Sequence, residues 1–116
     1  MIAIIFESWP HPDRGEAYLE AAARLRPLVA AQEGFISIER FESVTNPGKF
    51  VSISYWRDEE AVRQWRNVEE HRRVQEAGRQ SIFADYRLKV AQVLRDYGKD
   101  ADREQAPGDS RSAHGG

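Results

Sequence analysis

The stretch WRNVEEHRRVQEAGRQS, residues 65–81, holds Trp65, His71 and Gln75, the side chains whose types and spacing best suit chemistry. A neutral imidazole can take a proton, donate one hydrogen bond, or ligate a metal or haem iron through its free nitrogen. Read as one helix from 68 to 82, the segment brings His71, Val74, Gln75, Gly78 and Ile82 within roughly 60° of arc, so His71 faces inward. A helix start at Asn67 would place His71 near a positive dipole end. There the dipole and partial burial both disfavour the imidazolium, so a neutral ring at pH 7 is expected. Three roles stay open: a core histidine, a general base or substrate partner, and a haem ligand. Gly78 on the same face either lets the helix approach a sheet or leaves room for a ligand. On a straight helix Trp65 lies about 120° around from His71. The two share a wall only if the chain bends at Asn67; otherwise Trp65 is core.

Other chemistries have little to work with. The chain has no cysteine, which removes disulfides, thiolate metal sites, iron–sulfur clusters and a cysteine nucleophile. His11 and His114 fall in a loop and a tail, without partners at metal-ligand spacing. No glycine-rich phosphate loop occurs. The doublets Glu59–Glu60 and Glu69–Glu70 sit at helix starts, where favourable dipole interactions explain them.

The elements that must position these residues follow from local pattern. MIAIIFESW reads as a strand from about Ile2 to Trp9, with Ile2, Ile4 and Phe6 on one face and Ala3, Ile5 and Trp9 on the other. Asp13, with Glu16 three places on, has the form of a helix cap, and Tyr18, Ala22, Leu25 and Val29 repeat at helical spacing. Pro27 predicts a kink, with a last turn running to Gly34. Residues 35–41 and 50–56 form two strands, joined through TNPGK, where Pro47 and Gly48 suit a type II turn. Asp58 caps a second helical segment. Asn67 with Glu70 repeats the cap pattern, which predicts two short helices with a bend between them. Ile82 and Phe83 close the helix, and Tyr86–Leu94 alternates as a fourth strand, with Tyr86, Leu88 and Val90 on one face. The order is that of a ferredoxin-like β-α-β-β-α-β fold of the α+β class, a four-stranded antiparallel sheet with both helices on one face. The bulky opposite face predicts a homodimer formed through the sheets.

A length of 116 residues suits one domain, over 1–97, followed by a polar tail over 98–116. Hydrophobic residues make up 41% and charged residues 31%, an ordinary globular composition. With a net charge of −2 and no basic stripe, nucleic acid is not an expected partner. No apolar run is long enough to span a bilayer and no signal-peptide pattern occurs, so a cytoplasmic location is expected.

MIAIIFESW, SISYWRDEEAVRQW, and EHRRVQEAGR leading into IFADYRLKVAQVL resemble the antibiotic-biosynthesis-monooxygenase-like family of dimeric α+β-barrel proteins, which includes small haem-degrading monooxygenases. The resemblance covers residues 1–97. It implies a cavity between helices and sheet, and oxygenase activity without metal, flavin or other prosthetic group. It further implies that Trp65 lines the cavity and that His71 lies near the substrate. Two departures stand out. Where active members carry an asparagine, this chain has Glu7, Ser8 and Ala61, and where the haem-degrading branch carries its ligand histidine, this chain has Gln75. The implied reaction is oxidation by O2 of a small electron-rich aromatic, quinol-like or anthrone-like. His71 would act as base, Gln75 and Tyr86 as donors, and Phe6, Tyr55, Trp65 and Phe83 as apolar walls. A haem-binding or haem-degrading enzyme and a non-catalytic small-ligand-binding dimer are the alternatives.

Overall fold

The computed structural model describes residues 1–77 and 82–109, with the side chains of 70–77 left out of the description. Its elements are β1 (Ile2–Pro10), α1 (Gly15–Ala30), β2 (Phe35–Glu42), β3 (Phe50–Trp56), α2 (Glu59–Ala77) and β4 (Phe83–Gln92). A single 3-10 turn, Arg103–Gln105, follows. The strands form one antiparallel sheet in the order β2-β3-β1-β4, the ferredoxin-like arrangement expected from the sequence.

Both helices cover one face. Val29 of α1 and Ala61, Val62 and Trp65 of α2 pack on Ile2 and Trp56, with Ile4, Leu25, Phe35, Ile38 and Val68 around them. This apolar cluster occupies one end of the helix-covered face. Gly34 brings the chain out of α1 with φ +83°, a conformation glycine adopts without strain. The space there is equally restrictive, because a Cβ on Gly34 would lie 2.6 Å from that of Ala61. The Asn46–Lys49 turn closes as expected: Gly48 has φ +89°, and the Lys49 amide donates to the Asn46 carbonyl at 3.0 Å.

Several local expectations are corrected. Arg14, not Asp13, immediately precedes α1, and no side chain caps that helix. Pro27 sits within α1, which ends at Ala30 rather than running on to Gly34; Pro27 and Ala23 are both exposed, so water can serve the carbonyl that proline leaves without an amide. Asp58 does cap α2, its Oδ1 accepting the Ala61 amide at 2.9 Å. Asn67 starts no second helix: α2 runs unbroken through it, since amides in mid-helix already have carbonyl partners one turn back and need no cap. Phe83 belongs to β4 rather than to the preceding helix, and β4 ends at Gln92. No helix among the described residues is long and apolar enough to cross a membrane.

Candidate functional site

Side-chain alternation sorts the sheet into two faces. On the helix-covered face, moving away from the apolar cluster, the residues of β3 are Trp56, Ser54, Ser52 and Phe50, opposite Ile2, Ile4, Phe6 and Ser8 of β1. Serines therefore stand under the helices where a filled interior would carry branched apolar side chains. The Trp56 indole donates to Ser54 Oγ at 2.9 Å, which satisfies both groups. The apolar residues of β3 (Val51, Ile53 and Tyr55) point to the helix-free face, beside Ala3, Ile5 and Glu7.

Beyond the serines, five aromatic rings from four elements meet. Tyr18 of α1 lies 5.5 Å from Phe50 and 5.2 Å from Phe83, ring centre to ring centre. Phe6 lies 5.6 Å from both Phe83 and Tyr86, and Phe83 lies 6.1 Å from Tyr86. Residues three apart in a strand normally face opposite ways. Here the pairing of β1 with β4 shifts by one residue, Trp9 opposing Asp85 and Pro10 opposing Phe83, so Ala84 is an inserted residue. That bulge turns Phe83 and Tyr86 to the same side.

Polar groups border this aromatic box. Arg40 of β2 donates from Nε to the Tyr18 hydroxyl at 2.9 Å, with its guanidinium carbon 5.3 Å from the centre of the Tyr18 ring. Ser8 lies opposite Phe50 and Tyr86 on the same face, is fully buried, and its Oγ has no hydrogen-bond partner among the described residues. Arg14 stands one helical turn before Tyr18, and its Nη2 is likewise shut from solvent without a partner among them. A buried hydroxyl and a buried guanidinium nitrogen in that condition are costly unless something accepts from them.

The helix-free face has a different electrostatic character. Glu7 accepts from Lys89 at 2.6 Å and Lys49 at 3.3 Å, and these hydrogen bonds, Lys89 first, hold its carboxyl below the ordinary range. Lys49 also lies 4.8 Å from the centre of the Trp9 ring. Among the described residues no group of three or more histidine or carboxylate side chains is placed to hold a metal ion.

The residues expected from sequence divide accordingly. Phe6, Phe83 and Tyr86 come together in the box. Trp65 stacks on Trp56, with ring centres 6.3 Å apart, within the apolar cluster. Tyr55 is on the opposite side of the sheet from Phe6, beside Ala3, and shares no wall with the box inside one protomer. His71 and Gln75 belong to α2, but their side chains lie outside the described residues. Sequence pattern alone does not single out Ser8, Arg14, Tyr18, Arg40 or Phe50 as site residues. Ser8 leaves a trace, a lone hydroxyl ending the otherwise apolar face Ile2, Ile4, Phe6.

The family model described as antibiotic biosynthesis monooxygenase matches residues 1–77. A protein named jasmonate monooxygenase from Pyricularia oryzae is 43% identical over 93 residues, which are 80% of this chain and 43% of that one. The chain thus spans less than half the length of that relative. The uncharacterised protein YqjZ of Bacillus subtilis is 33% identical over 93 residues, 80% of this chain and 79% of its own. Three solved structures share the fold. Rv0793 of Mycobacterium tuberculosis superposes with a TM-score of 0.69 at 20% identity, covering 84% of this chain and 98% of its own. SnoaB of Streptomyces nogalater, described as a cofactor-independent oxygenase, gives 0.66 at 16%, covering 82% and 94%. MhuD with two manganese protoporphyrin IX molecules per active site gives 0.69 at 18%, covering 84% and 99%.

Proposed function

Because the chain belongs to the antibiotic biosynthesis monooxygenase family, we propose that it uses O2 to oxidise a small, flat, electron-rich molecule, quinol-like or anthrone-like, without a prosthetic group. The observation that carries this reading is the aromatic box of Phe6, Tyr18, Phe50, Phe83 and Tyr86, bordered by hydroxyl and guanidinium groups. Aromatic walls with a few convergent polar groups are the usual make-up of a small-molecule site.

In the proposed reaction a base, His71, removes a proton from the substrate. The resulting anion passes one electron to O2, the two radicals join at carbon to give a peroxide, and loss of water leaves a carbonyl. One oxygen atom stays in the product and the other leaves as water, so no outside reductant is consumed. The protein supplies a dry cavity, the base, and donors to the developing oxyanion: Gln75 and Tyr86, to which Tyr18 is added. Trp65 acts here as a packed support rather than a wall. Protomers pair through the helix-free faces, where Val51, Ile53 and Tyr55 await cover. Such pairing would place Tyr55 in the dimer interface.

The relative named jasmonate monooxygenase favours a second reading of the substrate, a cyclic ketone bearing a carboxylate, activated at a carbon beside the carbonyl. A haem reading fits less well. Gln75 occupies the position of the histidine ligand in the haem-degrading branch, and the polar groups at the box are proton donors suited to an anion rather than electron-pair donors suited to iron.

Oxygen uptake with a panel of anthrones and quinols, run beside His71→Ala, tests the reading. Turnover by the wild-type protein with a loss of about 100-fold or more in the variant is expected. Equal rates would remove His71 from the mechanism, and no uptake with any member would remove the quinol-type substrate.

A further inference from the structure

The two edges of the sheet carry opposite charge on the helix-free face. Glu39 of β2 pairs with Ile53 of β3, which pairs with Ile5 of β1, which pairs with Lys89 of β4, so these four form one row across that face. Arg87 lies on the same face in the adjoining row, opposite Glu7. The anion thus stands at one edge and two cations at the other, with branched apolar side chains between them. Glu39, Arg87 and Lys89 are all exposed. Lys89 already donates to Glu7, whereas Glu39 and Arg87 have no ion-pair partner among the described residues. Three strand spacings, roughly 14 Å, separate the two edges, so Glu39 and Arg87 cannot meet within one protomer.

A two-fold pairing of two such faces has its axis in the plane between them. Where the strands of two packed sheets run nearly aligned, that axis lies either across the strands or along them. An axis across the strands lays β2 on the partner's β2 and β4 on the partner's β4. Cations then gather at one rim and anions at the other, which opposes association. An axis along the strands lays β2 on the partner's β4 and β3 on the partner's β1. Ile53 then covers the partner's Ile5 in the middle, and Glu39 meets the partner's Arg87 at the rim. Symmetry makes that contact twice.

We propose that the chain pairs with a second copy of itself about an axis running along the strands, with Glu39 and the partner's Arg87 as the contact that selects this orientation. The inference rests on the sheet-to-sheet pairing proposed above and supplies its geometry. Apolar area draws the faces together irrespective of direction, and the rim charges reject the alternative.

Sedimentation equilibrium of the full chain in about 50 mM salt tests this with Glu39→Arg, Arg87→Glu, the double variant, and an equimolar mixture of the two single variants. Each single variant sets like charges at both rims and should raise the dimer Kd by about tenfold or more. The double variant reverses both signs and should return to within about threefold of wild type. The mixture should do the same, because a Glu39→Arg chain facing an Arg87→Glu chain has opposite charges at both rims. A dimeric wild type whose mixed single variants associate no better than either alone would overturn the orientation and leave the pairing in place. Tighter association of Arg87→Glu alone would overturn it in favour of the axis across the strands. A monomeric wild type would overturn the pairing and the orientation together. Should Arg87→Glu lose the native circular dichroism, cysteine linkage replaces it, since the chain has no cysteine of its own. A short bismaleimide should then join Glu39→Cys to Arg87→Cys in their mixture; linkage within either variant alone, or none in the mixture, would overturn the proposal.

Discussion

Arg40 holds Tyr18 in two ways at once, donating from Nε to the phenol oxygen at 2.9 Å while its charge lies 5.3 Å from the centre of the ring. With its oxygen accepting from a cation, the Tyr18 hydroxyl has its hydrogen left to give, and hydrogen bonds in sequence strengthen one another. Tyr18→Phe keeps the ring against Phe50 and Phe83 and removes the hydroxyl, both as acceptor from Arg40 and as donor. The variant should lose about 1–3 kcal/mol of stability from the charge-assisted bond and at least about tenfold in oxygen-uptake rate. Unchanged kcat in steady-state uptake would exclude Tyr18 from the reaction.

Trp65 is 7% exposed and stacks on the fully buried Trp56. Trp65→Ala opens a hole in the apolar cluster and should cost about 3–5 kcal/mol, a large share of the stability of a domain of this size. Urea unfolding checks this. A loss below about 1 kcal/mol would mean that the indole is not part of the core.

Gly34 meets Ala61 at the junction of α1 and β2. Gly34→Ala demands a left-handed conformation from a residue with a Cβ and drives that Cβ to 2.6 Å from its neighbour. The conformational cost alone is about 1–2 kcal/mol, and the contact adds to it, so a fall in Tm of roughly 10 °C is expected. A Tm within two degrees of wild type, on a scale of about 4 °C per kcal/mol, would show that the junction yields to the added methyl.

Glu7 gives the acid limb of stability a defined sign. Its carboxyl is held below the ordinary value of 4.5 in the fold, first by Lys89 and then by Lys49. A depressed folded value stabilises above the unfolded pKa, and the contribution disappears as pH falls through the folded value. Glu7→Gln should therefore lower Tm near pH 6, with the gap from wild type narrowing as pH falls below the ordinary carboxyl value. Because the lysines are partly solvated, the difference should be small and should shrink in 0.5 M salt. A gap that stays constant from pH 6 to pH 3 would sink the assignment.

Features set by neighbours along the chain are legible in the sequence itself. The TNPGK turn, the Asp58 cap and the bounds of β3 at 50–56 each depend on a few adjacent residues. The site depends on pairings between distant segments. Tyr18 and Arg40 are 22 positions apart, and nothing local in either predicts their bond. The alternation of β3 shows two faces but not which one the helices take. Its apolar row lies on the uncovered side, so Tyr55, plausible as a wall by type, is placed away from Phe6. Asn67 shows the reverse case, a cap-like pattern inside a helix that α2's own hydrogen bonding overrides.

The extra residue at Ala84 reconciles an odd spacing along the chain with a shared face in space. Excising that alanine would leave Phe83 two places before Tyr86, the spacing at which an even pleat keeps both side chains on one face, so the ring should stay where it is. Flattening the bulge without shortening the chain would instead turn Phe83 toward the side of Glu7 and Lys89 and leave four rings together, so the cluster depends on an irregularity in strand pairing.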